Sequence, residues 1–213
     1  MKRTVFSLMA AVAFLPGCGP QAGASPAEIA STLAPATSPT SLPVAKSDAV
    51  PAGAFVFFED FEQGTARWQL PAGTEPVAWR LLNALTCGGK YTMLIGQDNQ
   101  VPFAAAEGES VLTLKSPLDL TRAVRPQLKY DVKGLAYPAD ALTIQAEIQP
   151  SGEDWRPWGR AVNGAFVFMG SVVADLTPYA GKSVGLRFRA RFKPAGEPAK
   201  GMYLDDVVVI EPR

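Results

Sequence analysis

From Ala54 to the end of the chain, apolar and polar residues alternate with a period of two in several segments. The clearest of these is 184–192, in which every even position is apolar and the others are Gly or Arg. Residues 128–134 and 142–148 alternate in the same way over most of their length. Because successive side chains of a strand point to opposite faces, this period indicates strands with one buried and one solvated face.

Shorter apolar runs and turn signals complete the pattern. Residues 55–58, 111–114 and 207–210 are rich in aromatic and aliphatic side chains, and clusters of Pro, Gly, Ser and Asp such as 149–154 separate such runs. No amphipathic helical pattern of comparable strength occurs in the sequence. Many short strands with turn signals predict an all-β domain folded as a β-sandwich, and about 160 residues suffice for a substantial core.

The N-terminal segment follows a different pattern. A basic pair, Lys2 and Arg3, precedes an apolar run over 5–15, and Pro-Gly-Cys18 follows that run. A basic start, an apolar stretch shorter than the roughly 20 residues of a membrane span, and small residues before a cleavage point indicate a secretory signal over 1–17.

The segment 15–18 resembles the lipobox of bacterial lipoproteins, in which the Cys becomes the acylated N-terminus of the mature chain. The resemblance implies an acyl group such as palmitate on Cys18, anchorage to the lipid bilayer and a place in the cell envelope. Gly19 rather than Asp follows this Cys, which by the same resemblance implies the outer membrane if the host is Gram-negative. An ordinary secretory signal with an incidental Cys is the alternative.

Residues 18–53 have the composition of a linker. Pro, Ala, Ser and Thr dominate this stretch, and it contains no aromatic residue; the next one in the chain is Phe55. Such a composition buries too little apolar area to offset the entropy of ordering, so we expect a disordered, partly extended spacer. The predicted organisation is a signal peptide (1–17), a lipidated Cys with its linker (18–53) and a β-sandwich domain (54–213).

Composition excludes several classes of function. Lys+Arg and Asp+Glu both number 20 in the 213 residues, so no large basic field exists to hold nucleic acid. Histidine is absent, which removes Ser-His-Asp and Cys-His catalysis and every zinc site that uses His. If Cys18 is acylated, Cys87 has no intramolecular partner, and we expect it to be a small buried residue or, less simply, an intermolecular disulfide.

Five blocks of sequence follow one another in the domain: 58–64 with Trp68, Trp79 with 88–91, 112–120, Trp155, and 175–188 with 201–207. In this order they resemble the MAM-like jelly-roll domains of bacterial secreted proteins, some of which accompany metalloproteases of the immune inhibitor A type. The resemblance implies a jelly-roll β-sandwich over nearly all of 54–213. It does not identify a ligand, because fold alone does not determine function.

Two acidic clusters lie near the ends of the domain, Glu59, Asp60 and Glu62 in one and Asp205 and Asp206 in the other. The first and last strands of a jelly roll usually lie close together, so both clusters could converge on a hard cation such as calcium, which takes about six to eight oxygen ligands. Related jelly rolls hold a structural calcium between their terminal strands, and the resemblance therefore also implies calcium. The alternative is that these carboxylates accept backbone hydrogen bonds or face solvent.

Two tryptophans and a polar loop are candidates for ligand binding. Trp155 and Trp158 stand three apart, and we expect Trp155 in the core and Trp158 half covered or exposed. An exposed Trp158 would stack on sugar rings or anchor a protein partner. Asp98 and Asn99 lie in the polar stretch 96–103, where their side chains would bond sugar hydroxyls or only water.

The sequence therefore predicts a non-catalytic envelope lipoprotein that displays a binding or adhesion module for a glycan or a surface protein. The alternative is a structural envelope lipoprotein that supports a partner complex. A glycoside hydrolase would need two carboxyl groups facing each other across a sugar site, and nothing in the sequence specifies that geometry. We accordingly predict that the protein is not an enzyme.

Overall fold

A computed structural model describes residues 52–71, 77–83, 89–96, 107–134, 141–163, 170–194 and 201–213. The chain divides between residues 45 and 46, and all described residues belong to the unit Lys46–Arg213. The predicted signal peptide, lipidation at Cys18 and most of the linker lie outside the described residues, as do Cys87, Asp98 and Asn99.

The described residues form thirteen strands and one short 3-10 helix, Thr177–Tyr179. The strands are β1 (Phe55–Glu59), β2 (Trp68–Gln69), β3 (Trp79–Asn83), β4 (Tyr91–Ile95), β5 (Gly108–Leu114), β6 (Leu118–Asp119), β7 (Gln127–Gly134), β8 (Leu142–Pro150), β9 (Arg156–Pro157), β10 (Val162–Asn163), β11 (Gly170–Asp175), β12 (Ser183–Phe192) and β13 (Met202–Ile210). Within this part of the chain, no helix has the length and apolar character needed to cross a membrane.

The strands build two antiparallel sheets. The six-stranded sheet has the order β11-β7-β13-β4-β3, and β1 also pairs with β13. The seven-stranded sheet has the order β10-β8-β12-β5-β2, with β6 paired to β12 and β9 paired to β8. This architecture confirms the predicted all-β jelly-roll sandwich.

The core lies between the two sheets, and aromatic rings from both sheets meet there. Tyr130 of the six-stranded sheet packs edge to face on Phe188 of the seven-stranded sheet, with 5.0 Å between ring centroids. Trp68 packs against Phe188 at 6.0 Å and against Phe61 at 5.9 Å. Such aromatic pairs add about 0.5–1.5 kcal/mol to the burial of their surface, so they join the sheets firmly.

The alternation in β12 explains its central place in the seven-stranded sheet. Val184, Leu186 and Phe188 are at most 1% exposed and face the core, as do Ala190 and Phe192. A slip of one residue would turn all of them to solvent, so the buried face fixes the pairing of β12 with β8 on one side and β5 on the other. The intervening residues therefore form the outer surface of this sheet.

A bulge interrupts β13, and β13 changes partner across it. Residues 202–204 pair with β4, whereas 207–210 pair with β1. On its other side β13 pairs with β7, and the register shifts between Asp205 and Val208. Asp206 has a φ of +47° within this bulge. A bulge re-aims side chains, and here it redirects the two aspartates of the C-terminal acidic cluster.

Candidate functional site

The outer face of the seven-stranded sheet is formed by the side chains of β12, β8 and β5 that point away from the core. We call it the polar face. Register places these residues in rows across the three strands: Gly185 beside Gln149, Glu147 beside Arg187 beside Thr113, Gln145 beside Arg189 beside Val111, and Thr143 beside Arg191 beside Glu109. Amides, hydroxyls and paired charges dominate this surface.

A chain of ion pairs stiffens the polar face. Glu147, which is 3% exposed, accepts from Nε of Arg187 at 2.5 Å and lies 3.0 Å from Nε of Arg189. Arg189 also donates to both carboxylate oxygens of Glu109 at 2.7 and 2.9 Å. Burial lowers the pKa of Arg189, but its bonds to Glu109 and Glu147 outweigh burial and raise the pKa overall. These arginines are therefore fixed cations whose side chains are already positioned.

Trp155 lies on the polar face. The guanidinium carbon of Arg187 stands 4.3 Å from the centroid of its ring, within the range of a cation–π contact. Gly185 makes room for the indole, because a Cβ at that position would stand 2.9 Å from Cη2 of Trp155. The expectation that Trp155 is the core tryptophan is therefore wrong. Trp155 directly precedes β9, whose pairing with β8 carries the ring over the outer surface of the sheet.

Two open depressions lie on the polar face, and each is lined by one residue that contacts Trp155. One has a volume of about 330 Å³ and includes Gln69, Thr113 and Arg187 in its lining. The other has a volume of about 480 Å³ and includes Gln149, Ser183 and Gly185. Arg187 and Gly185, the two residues that Trp155 rests on, each line one depression. Trp155 therefore forms a partly exposed aromatic platform on the same face as the two polar hollows.

Trp158 has a different environment, at the edge of the sandwich. Its indole N–H donates to the carbonyl of Asp175 at 2.8 Å, and its ring packs edge to face on Tyr179 with centroids 4.7 Å apart. Its backbone N–H donates to Ala146, and the side chain packs against the core. These contacts give Trp158 a packing role, and its predicted role in ligand binding stays a prediction.

The N-terminal acidic cluster is largely engaged by neighbouring backbone and by Trp68. Glu59 is 5% exposed and accepts from the backbone N–H of Phe61 at 3.0 Å and from the indole N–H of Trp68 at 3.1 Å. Glu62 accepts from the backbone N–H groups of Lys90 and Tyr91 at 2.5 and 2.8 Å. Both carboxylates therefore fasten the segment after β1 to its surroundings.

The remaining acidic residues meet near the β13 bulge. Asp60 accepts from the N–H of Glu62 at 3.1 Å, and Asp205 accepts from the N–H of Asp206 at 2.9 Å. Burial raises the pKa of Asp206, and the charges of Asp131 and Asp60 raise it further. The expected proximity of the first and last strands of the domain is confirmed, because β1 pairs with β13. The presence of Asp131 on β7 in this cluster was not expected from the sequence.

This acidic cluster does not by itself make a metal centre. Within the described ranges, no group of three or more Asp, Glu, Cys or His side chains is arranged to hold a metal ion. Calcium binding by Glu59, Asp60, Glu62, Asp205 and Asp206 consequently stays a prediction. The fit is weak for Glu59 and Glu62, because their oxygens already accept protein hydrogen bonds.

No protein-family model matches this sequence, and no curated protein matches it either. Solved structures share its fold. The chain is similar to the xylan-binding CBM22-1 domain of Xyn10C from Paenibacillus barcinonensis, with a TM-score of 0.50 and 15% identity over 78% of this chain and 99% of that one.

Two further structures are similar to the same extent. The K1 cleaved adhesin domain of Lys-gingipain from Porphyromonas gingivalis W83 gives a TM-score of 0.51 and 17% identity, covering 74% of this chain and 98% of that one. A structure of carbohydrate-binding modules from the β-sandwich superfamily, described as promiscuous in specificity, gives a TM-score of 0.51 and 14% identity. The match covers 76% of this chain and 63% of that one. At these identities the likeness establishes the β-sandwich fold.

Proposed function

We propose that this protein is a non-catalytic glycan-binding module, held at the cell envelope by a lipid anchor on Cys18, and that it binds its ligand on the polar face. The observation that carries the glycan proposal is Trp155, a partly exposed indole stacked on Arg187 in the middle of an otherwise polar surface. The similar structures include a xylan-binding domain and other carbohydrate-binding modules, which supports the same class of ligand.

The chemistry of the polar face suits a sugar. The C–H face of a pyranose ring stacks on an indole, while ring hydroxyls need fixed donors and acceptors around that platform. Gln149, Ser183, Thr113 and Gln69 supply amide and hydroxyl groups in the two hollows beside Trp155. Because two hollows lie on the same face as the platform, a chain of several sugar units fits this surface better than a single sugar.

The charges of the polar face favour a neutral glycan. Arg187 and Arg189 are both paired to Glu147, and Arg189 is paired to Glu109 as well. Arg187 and Arg189 are therefore compensated before a ligand arrives, whereas Arg191, which is 63% exposed, shares Glu109 with Arg189 at 3.9 Å. Removing one partner of a buried ion pair strongly destabilises a protein. We therefore assign this chain of ion pairs the role of a rigid support for Trp155.

The test is binding of the purified protein to a panel of soluble polysaccharides, followed by calorimetry with the strongest ligand. Trp155→Ala should weaken binding by about tenfold or more, equivalent to about 1.4 kcal/mol. Trp158→Phe is the matched control, because it keeps an aromatic ring beside Tyr179 while it removes the pyrrole ring and the N–H that donates to Asp175. It should bind as the wild type does.

Two results would contradict this assignment. If no polysaccharide binds and the protein instead captures one stoichiometric envelope protein, the structural-lipoprotein alternative is favoured. If a glycan binds equally well to Trp155→Ala but not to folded variants of Trp158, Asp98 or Asn99, then the site lies where the sequence placed it and not on the polar face.

A further inference from the structure

Among the described residues, four large apolar side chains are strongly exposed, of which three lie on strands of the six-stranded sheet and the fourth lies in the segment that leads into β7 of that sheet. They are Phe55 at 63%, Phe58 at 45%, Val124 at 54% and Val173 at 57%. Exposed apolar surface that gathers on one side of a domain marks a contact surface. This side is opposite the polar face and plays no part in the proposed glycan site.

A bulge in β1 brings two of these side chains together. Residues three apart on a regular strand point to opposite faces, but the register of β1 on β13 shifts between Phe55 and Phe57. Phe57 and Glu59 stay buried, and the rings of Phe55 and Phe58 lie on the surface with 5.9 Å between centroids. The aromatic pair is therefore placed by the backbone.

Register extends this aromatic pair into a patch. Phe58 pairs with Val208, Val208 with Lys129, and Lys129 with Val173. Phe55 pairs with Ile210 one row nearer to the end where the linker joins. We call this surface, with Val124, the aromatic patch.

Basic residues border the aromatic patch where the linker joins. Glu211 is 4% exposed and accepts from the backbone N–H groups of Val124 and Arg125, and its own N–H donates to Ala54. Val124 and Arg125 are therefore held beside the start of β1. Arg213 lies against Gly53: a Cβ added to Gly53 would stand 3.2 Å from Nε of Arg213.

Arg125, Lys129 and Arg213 are all exposed. Asp131, Asp206 and Asp60 lie on the same side of the sandwich, towards the β13 bulge and away from the linker. Asp175 is also exposed and pairs with Gln127 in the row of Phe55, and the charge of Lys129 acts on Asp206. Cations therefore outnumber acids beside the aromatic patch without being fully separated from them.

We propose that the aromatic patch and its basic border dock on an anionic lipid surface. The occupant follows from the proposed anchor: residues 19–51 join Cys18 to this end of the domain, and at the roughly 3.1 Å per residue of an extended Pro-rich chain they span at most about 100 Å. The bilayer would then be held near the patch at high effective concentration. Exposed aromatic and aliphatic side chains beside Lys and Arg are the composition that binds the headgroup region of anionic membranes.

The experiment uses the mature chain, residues 18–213, with Cys18→Ser so that no acyl group contributes. Sedimentation with vesicles of phosphatidylglycerol and phosphatidylcholine should show binding that weakens with salt and with removal of phosphatidylglycerol. Phe55→Ser combined with Phe58→Ser should weaken binding about fivefold or more. Val111→Ser, on the polar face and without a change of charge, is the control and should bind as the parent does.

The proposal is overturned if the parent does not bind phosphatidylglycerol vesicles at millimolar lipid, or if the two-Phe variant, shown to be folded by its melting curve, binds equally well. It is also overturned if the parent forms a dimer that the two-Phe variant disperses, because a second copy would then be the occupant. Failure here is distinguishable from failure of the proposed function, which is measured separately by glycan calorimetry and by membrane fractionation of the acylated protein.

Discussion

Gly185 couples the packing of the polar face to its proposed chemistry. In Gly185→Ala the new Cβ would stand 2.9 Å from Cη2 of Trp155 and 3.3 Å from Cβ of Gln149, so the indole must shift. We expect glycan affinity to fall several-fold with little change in melting temperature. Gly108→Ala is the matched control, because a Cβ there meets nothing within 4 Å. Equal affinity of Gly185→Ala and wild type would contradict the platform role of Trp155.

Glu59 shows that an acidic residue at a strand end can be part of the core. Its two carboxylate oxygens accept from Phe61 and from the indole of Trp68. Glu59→Gln keeps the shape but turns an NH2 group towards one of these donors. We expect the free energy of unfolding in urea to fall by about 1–3 kcal/mol with an unchanged m-value. Glu153→Gln, at an exposed position, should change the free energy of unfolding little. A Glu59→Gln variant as stable as the wild type would contradict the role of Glu59 in the core.

The β13 bulge makes the stability of the domain depend on pH. The pKa of Asp206 is raised by burial and by Asp131 and Asp60, so the folded state binds more protons than the unfolded state between the unfolded and folded pKa values. The contribution of Asp206 to stability therefore falls as pH rises through that interval and is lowest above it. Asp206→Asn removes the charge and suits the positive φ. Without metal it should melt higher than wild type at pH 7, and its advantage should vanish below the unfolded pKa.

The control for this pH experiment is Asp154→Asn, at an exposed position in the turn after β8. It should follow the wild-type melting curve at every pH. A wild-type melting temperature that exceeds that of Asp206→Asn at pH 7 in chelator would show that the Asp206 carboxylate stabilises the bulge, contrary to the direction of its pKa shift.

The calcium prediction concerns the same bulge. A cation bound only by the folded state stabilises it by about 2.7 kcal/mol at a hundredfold excess over its dissociation constant. Millimolar calcium should then raise the wild-type melting temperature by several degrees and chelator should reverse this, whereas Asp205→Asn and Asp206→Asn should respond less. Identical wild-type melting curves in calcium and in chelator would contradict metal binding by the acidic clusters.

Among the strands, those with a clear period could be predicted and the shortest could not. The alternation over 184–192 lies within β12, and that over 142–148 lies within β8, because one face of each strand is buried. The two-residue strands β2, β6, β9 and β10 are too short to show a period. Pairing between distant strands leaves no local signal either, and the order of strands in each sheet therefore came only from the structure.

The candidate sites show the same division. The meeting of Asp60 with Asp206 could be expected from the proximity of the first and last strands. Asp131 could not, because a single acid in an alternating strand has the pattern of a solvated residue until β7 is paired with β13. Trp155 was assigned to the core for a similar reason, since only the pairing of β9 with β8 shows which side of the sheet its ring takes.

At the scale of the whole molecule, the two sheets present outer surfaces of different chemistry. The seven-stranded sheet carries paired charges, amides and Trp155, whereas the six-stranded sheet carries the aromatic patch and its basic border. Opposite surfaces can be occupied at the same time without competing. A domain that docks on lipid through the aromatic patch would therefore leave the polar face open to a glycan.

Anchoring is the property of the whole molecule on which this arrangement depends. If Cys18 is acylated, Cys18→Ser should move the protein from the membrane fraction to the soluble fraction after carbonate washing, because docking through two phenylalanines and a few cations is reversible. A single acyl chain binds only marginally, so resistance of the wild type to washing would indicate several chains on Cys18. Cys87→Ser is the control and should stay with the membranes. If Cys18→Ser also resists carbonate, then the lipobox interpretation is wrong and another part of the chain holds the protein at the membrane.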